Sequence, residues 1–181
     1  GAVTKSCNCV FAQIAQDLGR NNLKKMAEKL GYNEDFLFDD LMIYQSSYDV
    51  SDARDIDYAW SSVGQYKDTA SPMHVCMITS AIANDGVMME PKLIKSVMNY
   101  RNFEYIKMTS NTYRRCMSQQ TAEQLQEMMV NVVKNGTGKS AAIKGVTVAG
   151  KTGTAEVSDN KETKPHAWFT GFIQDEEYPY A

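Results

Sequence analysis

An alternating run, Val146-Thr147-Val148-Ala149-Gly150, leads straight into Lys151-Thr152-Gly153-Thr154, and this stretch constrains the chain more than any other. A period of two sends successive side chains to opposite faces, so the run reads as a strand, expected over 146–157. A second strand is expected over 167–174, after a polar and charged linker at 158–165, and the two form a long hairpin. Lys151 sets an ammonium beside the sheet edge, where it attracts a carboxylate and biases a neighbouring proton transfer. Thr152 and Thr154 bring hydroxyls, and Gly153 lets a ligand or a helix approach the backbone. A substrate laid along this edge could pair with it as an extra strand. From these four residues alone, an ordinary exposed strand reads the same way.

Helical periodicity fills most of the rest. A first helix is expected over 9–18, with Val10, Phe11, Ile14, Ala15 and Leu18 on one face and Gly19 as its stop. A second is expected over 22–30, with Leu23, Met26, Ala27 and Leu30 inward and Gly31 closing it, which makes a helical hairpin. Residues 32–67 keep no period and read as a long surface crossing that carries function or wraps a groove. Ser71-Pro72 then opens a strong helix, the serine capping free N–H groups and the proline sacrificing no hydrogen bond. Its body, 73–83, is apolar almost all round, so Val75, Cys76, Met77, Ile78 and Ile82 are expected to pack on several sides. Short strands are expected over 91–98 and 104–108, joined by a turn. Thr121-Ala122-Glu123-Gln124 reads as a capping box ahead of the stripe Leu125, Met128, Met129, Val132 and Val133, which Gly136-Thr137-Gly138 ends. Trp168 and Phe169 are neighbours on a strand, so one is expected to be buried and the other to line a groove or meet a helix. The fold class this gives is α+β, a helical lobe plus an antiparallel sheet with a helix against it.

At 181 residues the chain is long enough for one domain with a real core. Its net charge of -3, from 19 basic and 22 acidic residues, offers no footprint for nucleic acid. No apolar run reaches the roughly 18 residues of a membrane span, and no signal peptide is visible. Cys7-x-Cys9 is too tight for a zinc knuckle and His74 and His166 stand far apart, so neither metal nor cofactor is expected. Cys76 reads as a small core residue, and the methionines on helical stripes read as core packing.

Ser6-Cys7-Asn8 stands just before the first helix. As local structure it is a helix cap. As chemistry it offers a proton-shuttling hydroxyl at Ser6 and an amide at Asn8 that grips a peptide amide.

Taken together, these motifs resemble those of the penicillin-binding proteins, the serine D,D-transpeptidases that crosslink peptidoglycan, and most of all the high-molecular-weight class B kind. That family carries a Ser-x-x-Lys, a serine-x-asparagine element and a Lys-Thr-Gly motif. Here the second is Ser6-Cys7-Asn8 and the third is Lys151-Thr152-Gly153-Thr154. The flanks are similar too, at Ser71-Pro72-Met73-His74, Asn84-Asp85-Gly86, Asn135-Gly136-Thr137-Gly138 and His166-Ala167-Trp168-Phe169-Thr170-Gly171-Phe172. Two departures stand out. No Ser-x-x-Lys precedes Ser6, and Ser158-Asp159-Asn160-Lys161, which has that spelling, comes after the third motif. Gly64-Gln65-Tyr66 replaces the family's common Gly-Gln-Gly.

The resemblance implies a partial serine β-lactamase/transpeptidase-like fold, with residues 1–181 a transpeptidase domain truncated at both ends. In the complete domain an upstream serine would attack the carbonyl between two D-alanines of a stem peptide. Ser6 and Lys151 would support proton transfer and Asn8 would orient the peptide amide. Thr152, Gly153 and Thr154 would hold the substrate, and the N–H of Thr154 would give half of the oxyanion hole. Expected partners are peptidoglycan stem peptides, β-lactam antibiotics and the N-terminal remainder of the same domain. The parent protein is expected at the extracytoplasmic face of the bacterial membrane, while this chain alone is expected to be soluble and inactive for want of the nucleophile. A non-catalytic module that senses or scaffolds D-Ala-D-Ala or β-lactams is the alternative, and a serine β-lactamase relative a third reading. His166 is expected to cap its strand near Lys151.

Overall fold

The computed structural model describes every residue except 39, 40, 159, 161 and 176. Helix α1 (Ala2–Lys5) is a single turn; α2 (Asn8–Leu18) and α3 (Arg20–Lys29) follow, broken apart by Gly19 at φ 79. The helical hairpin of α2 and α3 is as expected, but the apolar face of α2 is mostly uncovered. Ala15 is buried, whereas Val10, Ile14 and Leu18 are 41%, 43% and 48% exposed. The helix is held at Ala15, whose carbonyl accepts the Tyr58 hydroxyl at 2.6 Å, and Phe11 is half-buried. Met26 on α3 is exposed as well, while Ala27 is buried.

The stretch expected to be irregular is not. It holds β1 (Phe36–Leu37), β2 (Met42–Ile43) and α4 (Asp55–Ser61). β1 and β2 pair antiparallel and turn Phe36 and Ile43 into the core. Two-residue strands are too short to show a period, and a seven-residue helix shows barely two turns. Asn33, at φ 64, ties the segment down: its amide donates to the Tyr48 carbonyl and accepts from the Tyr48 N–H, both at 2.9 Å.

Helix α5 (Pro72–Ala83) begins as expected. The Ser71 hydroxyl accepts from the His74 N–H, and Pro72 sits at the first helical position. The helix is not buried all round: His74, Met77, Thr79 and Ala81 are the buried residues, and Cys76 is only half-buried. Strands β3 (Val87–Met89) and β6 (Thr112–Arg115) pair antiparallel and were not legible in the sequence. Between them β4 (Ser96–Met98) and β5 (Glu104–Lys107) form the expected hairpin, shorter than its apolar run. Helix α6 (Gln119–Asn135) starts earlier than the expected capping box: Ser118 is the cap, accepting from the Thr121 N–H at 3.2 Å. Met129, Val132 and Val133 face inward and Met128 does not.

Strands β7 (Val148–Ala155) and β8 (His166–Ile173) form the long antiparallel hairpin, in register from Val148–Ile173 to Ala155–His166. Helix α6 packs on β7 and α5 on β8, so the hairpin is backed by both long helices. Ala149 and Phe172 share a small core with Met129. Neither Trp168 nor Phe169 is buried: Trp168 is half-buried, and the Phe169 ring lies over Gly150 and Gly171. A β-carbon built on Gly150 would meet that ring at 2.4 Å, which is why a glycine stands there.

Candidate active site

Ser6 ends α1 in the left-handed conformation, φ 51 and ψ 53, before Cys7 begins α2. The cap expected of Ser6 is not made: Cys7 is the N-cap, and no side chain bonds the free amides of α2. The Ser6 hydroxyl is therefore available, and it accepts from Lys151 Nζ at 2.9 Å. A non-glycine residue held left-handed costs roughly 1–2 kcal/mol. The clamp that holds it is Thr4, buried in α1 two residues earlier. Its side chain accepts from the Asn131 amide at 2.8 Å and its carbonyl from the Thr137 N–H at 3.2 Å. Gly136 makes the approach possible, because a β-carbon there would lie 2.3 Å from the Thr4 carbonyl oxygen. Asn8 opens α2, exposed, its amide committed to no hydrogen bond among the described residues.

Across from it runs β7. The Gln174 N–H donates to the Thr147 carbonyl, so 147 and 174 are a hydrogen-bonded pair and, by alternation, so are Lys151–Thr170 and Gly153–Trp168. Thr152 and Thr154 thus turn their peptide groups to the open edge of the hairpin. Their carbonyls are already engaged: Lys151 Nζ donates to Thr152 O at 2.7 Å and Gln65 Nε2 to Thr154 O at 2.9 Å. The Thr152 hydroxyl shares a hydrogen bond with that of Thr137 at 2.7 Å. What remains on the edge is amide donors beside an ammonium. That suits a carboxylate or a developing oxyanion better than a fully paired extra strand.

Ser6, Asn8, Lys151, Thr152, Gly153 and Thr154 all line one groove of about 750 Å³. Burial lowers the pKa of Lys151 from its ordinary 10.5, so its ammonium gives up a proton toward Ser6 more readily. The roles of Gln65, Thr137 and the Thr4 clamp escaped the sequence reading; Gln65 and Thr137 each had a signal, since they sit within the Gly64-Gln65-Tyr66 and Asn135-Gly136-Thr137-Gly138 stretches. Tyr66 holds φ 68, a conformation glycine adopts freely, so the departure at this position leaves the turn itself intact. His166 pairs with Ala155 at the far end of the hairpin and does not approach Lys151, whose cross-strand partner is Thr170. Of Ser158-Asp159-Asn160-Lys161, Asp159 and Lys161 lie outside the described residues.

The family described as the penicillin-binding protein transpeptidase domain matches residues 1–181. The chain belongs to that family. A curated relative, the peptidoglycan D,D-transpeptidase PbpA of Mycolicibacterium smegmatis, is 34% identical over 173 residues, which is 94% of this chain and 35% of the relative. The D,D-transpeptidase domain of a peptidoglycan glycosyltransferase from Eggerthella lenta superposes with a TM-score of 0.84 at 32% identity, covering 98% of this chain and 45% of that one. The imipenem acyl-enzyme complex of penicillin-binding protein A from M. tuberculosis superposes with a TM-score of 0.85 at 31% identity, covering 95% and 38%. The fold is thus that of penicillin-binding protein transpeptidase domains, and the chain spans about a third of the curated relative's length. No helix among the described residues is long and apolar enough to cross a membrane.

Proposed function

We propose that this domain transfers acyl groups from the D-Ala-D-Ala end of peptidoglycan stem peptides, and that β-lactams enter the same groove. The observation that carries the reading is the 2.9 Å contact of Lys151 Nζ with the Ser6 hydroxyl across a groove that also holds Asn8. The nucleophile of this reaction is the serine of a Ser-x-x-Lys element, and none stands ahead of Ser6 in these 181 residues. Attack of that serine splits one hard step into acylation and deacylation. Ser6 relays the proton to the departing D-alanine and Asn8 grips the peptide amide. Lys151, with Thr152 and Thr154, holds the terminal carboxylate, and the Thr154 N–H donates to the oxyanion. The reading places the parent protein's domain at the extracytoplasmic face, where its substrate is found.

Acylation by a labelled penicillin, followed by intact mass, tests this. The 181-residue chain is expected to form no adduct. A polypeptide extended to include the Ser-x-x-Lys element is expected to form one, slowed about 100-fold or more by Lys151→Ala. A stable adduct on the short chain, or an unchanged rate in the Lys151→Ala protein, would sink the proposal.

A further inference from the structure

The β4–β5 hairpin stands apart from the rest of the fold. Its two strands pair with each other and with no other strand among the described residues. Along it large apolar side chains face water: Tyr100, Phe103 and Tyr105 are 86%, 67% and 66% exposed, and Met98 and Ile106 are exposed as well. The turn that carries the first two rings is stiff. The Asn99 N–H donates to the Phe103 carbonyl at 2.9 Å and the Asn102 N–H to the Asn99 carbonyl at 3.0 Å. The Asn99 side-chain oxygen accepts from the N–H groups of Arg101 and Phe103, at 2.8 and 3.1 Å. Asn102 closes the turn in the left-handed conformation, φ 60. The tip thus holds out its rings with these four amides already satisfied, so it can enter an apolar phase without stranding them. Its charge is also distinctive. The whole chain has a net charge of -3, yet residues 95–107 set Lys95, Arg101 and Lys107 against Glu104 alone. The Arg101 guanidinium lies over the Tyr100 ring at 5.2 Å. Lys107 pairs with Ser96 at the base of the hairpin, and Lys95 is one rung further back, its carbonyl accepting from the Met108 N–H. Four positions separate Lys107 from Phe103, about 13 Å along a strand.

We infer that this hairpin docks on the surface of a bilayer containing anionic phospholipid, with the rings of Tyr100 and Phe103 sunk among the headgroups and Lys95, Arg101 and Lys107 against the lipid phosphates. Interfacial segments sink roughly 5–10 Å, a depth that buries the turn and leaves the lysines at the base level with the headgroups. Aromatic rings favour that boundary, and each lysine or arginine beside it gains from the anionic surface. Glu104, paired with Met98 on the rung next to the turn, is the one charge of the hairpin that opposes docking. A protein partner is the poorer match, because a turn that has spent its amides on itself offers few directional contacts. A second copy is poorer still, since it would bring the same excess of cations to face these. The inference stands whether or not the groove accepts D-Ala-D-Ala.

The test is flotation of the 181-residue chain with vesicles of phosphatidylglycerol and phosphatidylcholine in equal parts, and with vesicles of phosphatidylcholine alone. The chain is expected to bind the first about ten-fold or more tightly than the second, and to be released from them by high salt. Without a docking site, a net charge of -3 would repel it from the anionic vesicles instead. Tyr100→Ser combined with Phe103→Ser is expected to weaken binding to the anionic vesicles about ten-fold or more. Lys95→Gln combined with Lys107→Gln is expected to weaken it by a similar factor and to leave the faint binding to phosphatidylcholine unchanged. Failure of the unaltered chain to float with the anionic vesicles overturns the inference, as does flotation that either double variant retains in full. Self-association in sedimentation velocity that the Tyr100→Ser, Phe103→Ser variant loses, with no flotation, assigns the tip to a second copy and overturns it too.

Discussion

Single residues here are set against their own preferences, and each instance leaves a measurable trace. Ser6 is held left-handed so that its hydroxyl meets Lys151 instead of capping α2. Asp68 is half-buried with its Oδ1 out of water, and this desolvation pushes its pKa up from the ordinary 3.8 to about 7. A carboxyl whose folded pKa is raised contributes stability that is full below its unfolded pKa and is lost as pH rises through the folded one. The chain should therefore grow less stable between about pH 4 and pH 7 through this group, with no further loss from it above that window. Urea denaturation at the two ends of the window should show the decline, and Asp68→Asn should flatten it. An identical slope in the variant would mean that other groups set the dependence. Little of this could be read from the sequence. Ser6 stood out by its neighbours, but a serine before a helix predicts a cap, and only the extra turn of α1 shows why it is not one. Nothing about Asp68 marks burial, since its place depends on a bridge between Ser47 and Thr69.

At the level of elements, the long ones were legible, and of the short ones only the β4–β5 hairpin was. Helices α2, α3, α5 and α6 and strands β7 and β8 each carry enough residues for a period to emerge. Strands β1, β2, β3 and β6 have two to four residues and owe their pairing to tertiary contacts. The start of α6 was misplaced because Ser118 and Thr121 both offer a capping hydroxyl, and the structure uses the earlier one. The joint between α1 and α6 positions half of the site. Gly136→Ala would drive a β-carbon against the Thr4 carbonyl, a backbone atom that moves only if α1 moves. The expected cost is about 1–3 kcal/mol in urea unfolding, in the range of overpacked cores. Amide protection in α1 should fall in the same variant. Unchanged stability would show that α1 floats freely on α6.

Across the whole molecule, the site is an agreement between segments far apart in the chain. Lys151 meets Ser6 over 145 positions, and Gln65 meets Thr154 over 89. Family motifs in the sequence supplied Ser6, Lys151 and Thr154, but neither Gln65 nor the meeting of these residues, which depends on the hairpin being backed by α5 and α6. Thr79 of α5 and Thr170 of β8 share a hydrogen bond at 2.6 Å that fixes the hairpin from its other side. Gln65→Ala removes the donor to Thr154 and should cost about 1 kcal/mol in stability. In the extended polypeptide it should slow acylation several-fold, because the Thr154 amide is then less firmly aimed. An acylation rate equal to that of the unaltered protein would show that Gln65 only stabilises.

The engaged carbonyls of Thr152 and Thr154 carry a consequence for solubility. A bare strand margin is normally adhesive, because it shows acceptors and donors in the alternation that another copy's strand requires. At Thr152 and Thr154 the acceptors are already occupied by Lys151 and Gln65, and a charge stands beside them. Two molecules meeting there find donors facing donors, so the margin that must stay open for a ligand is guarded against aggregation by the same two side chains.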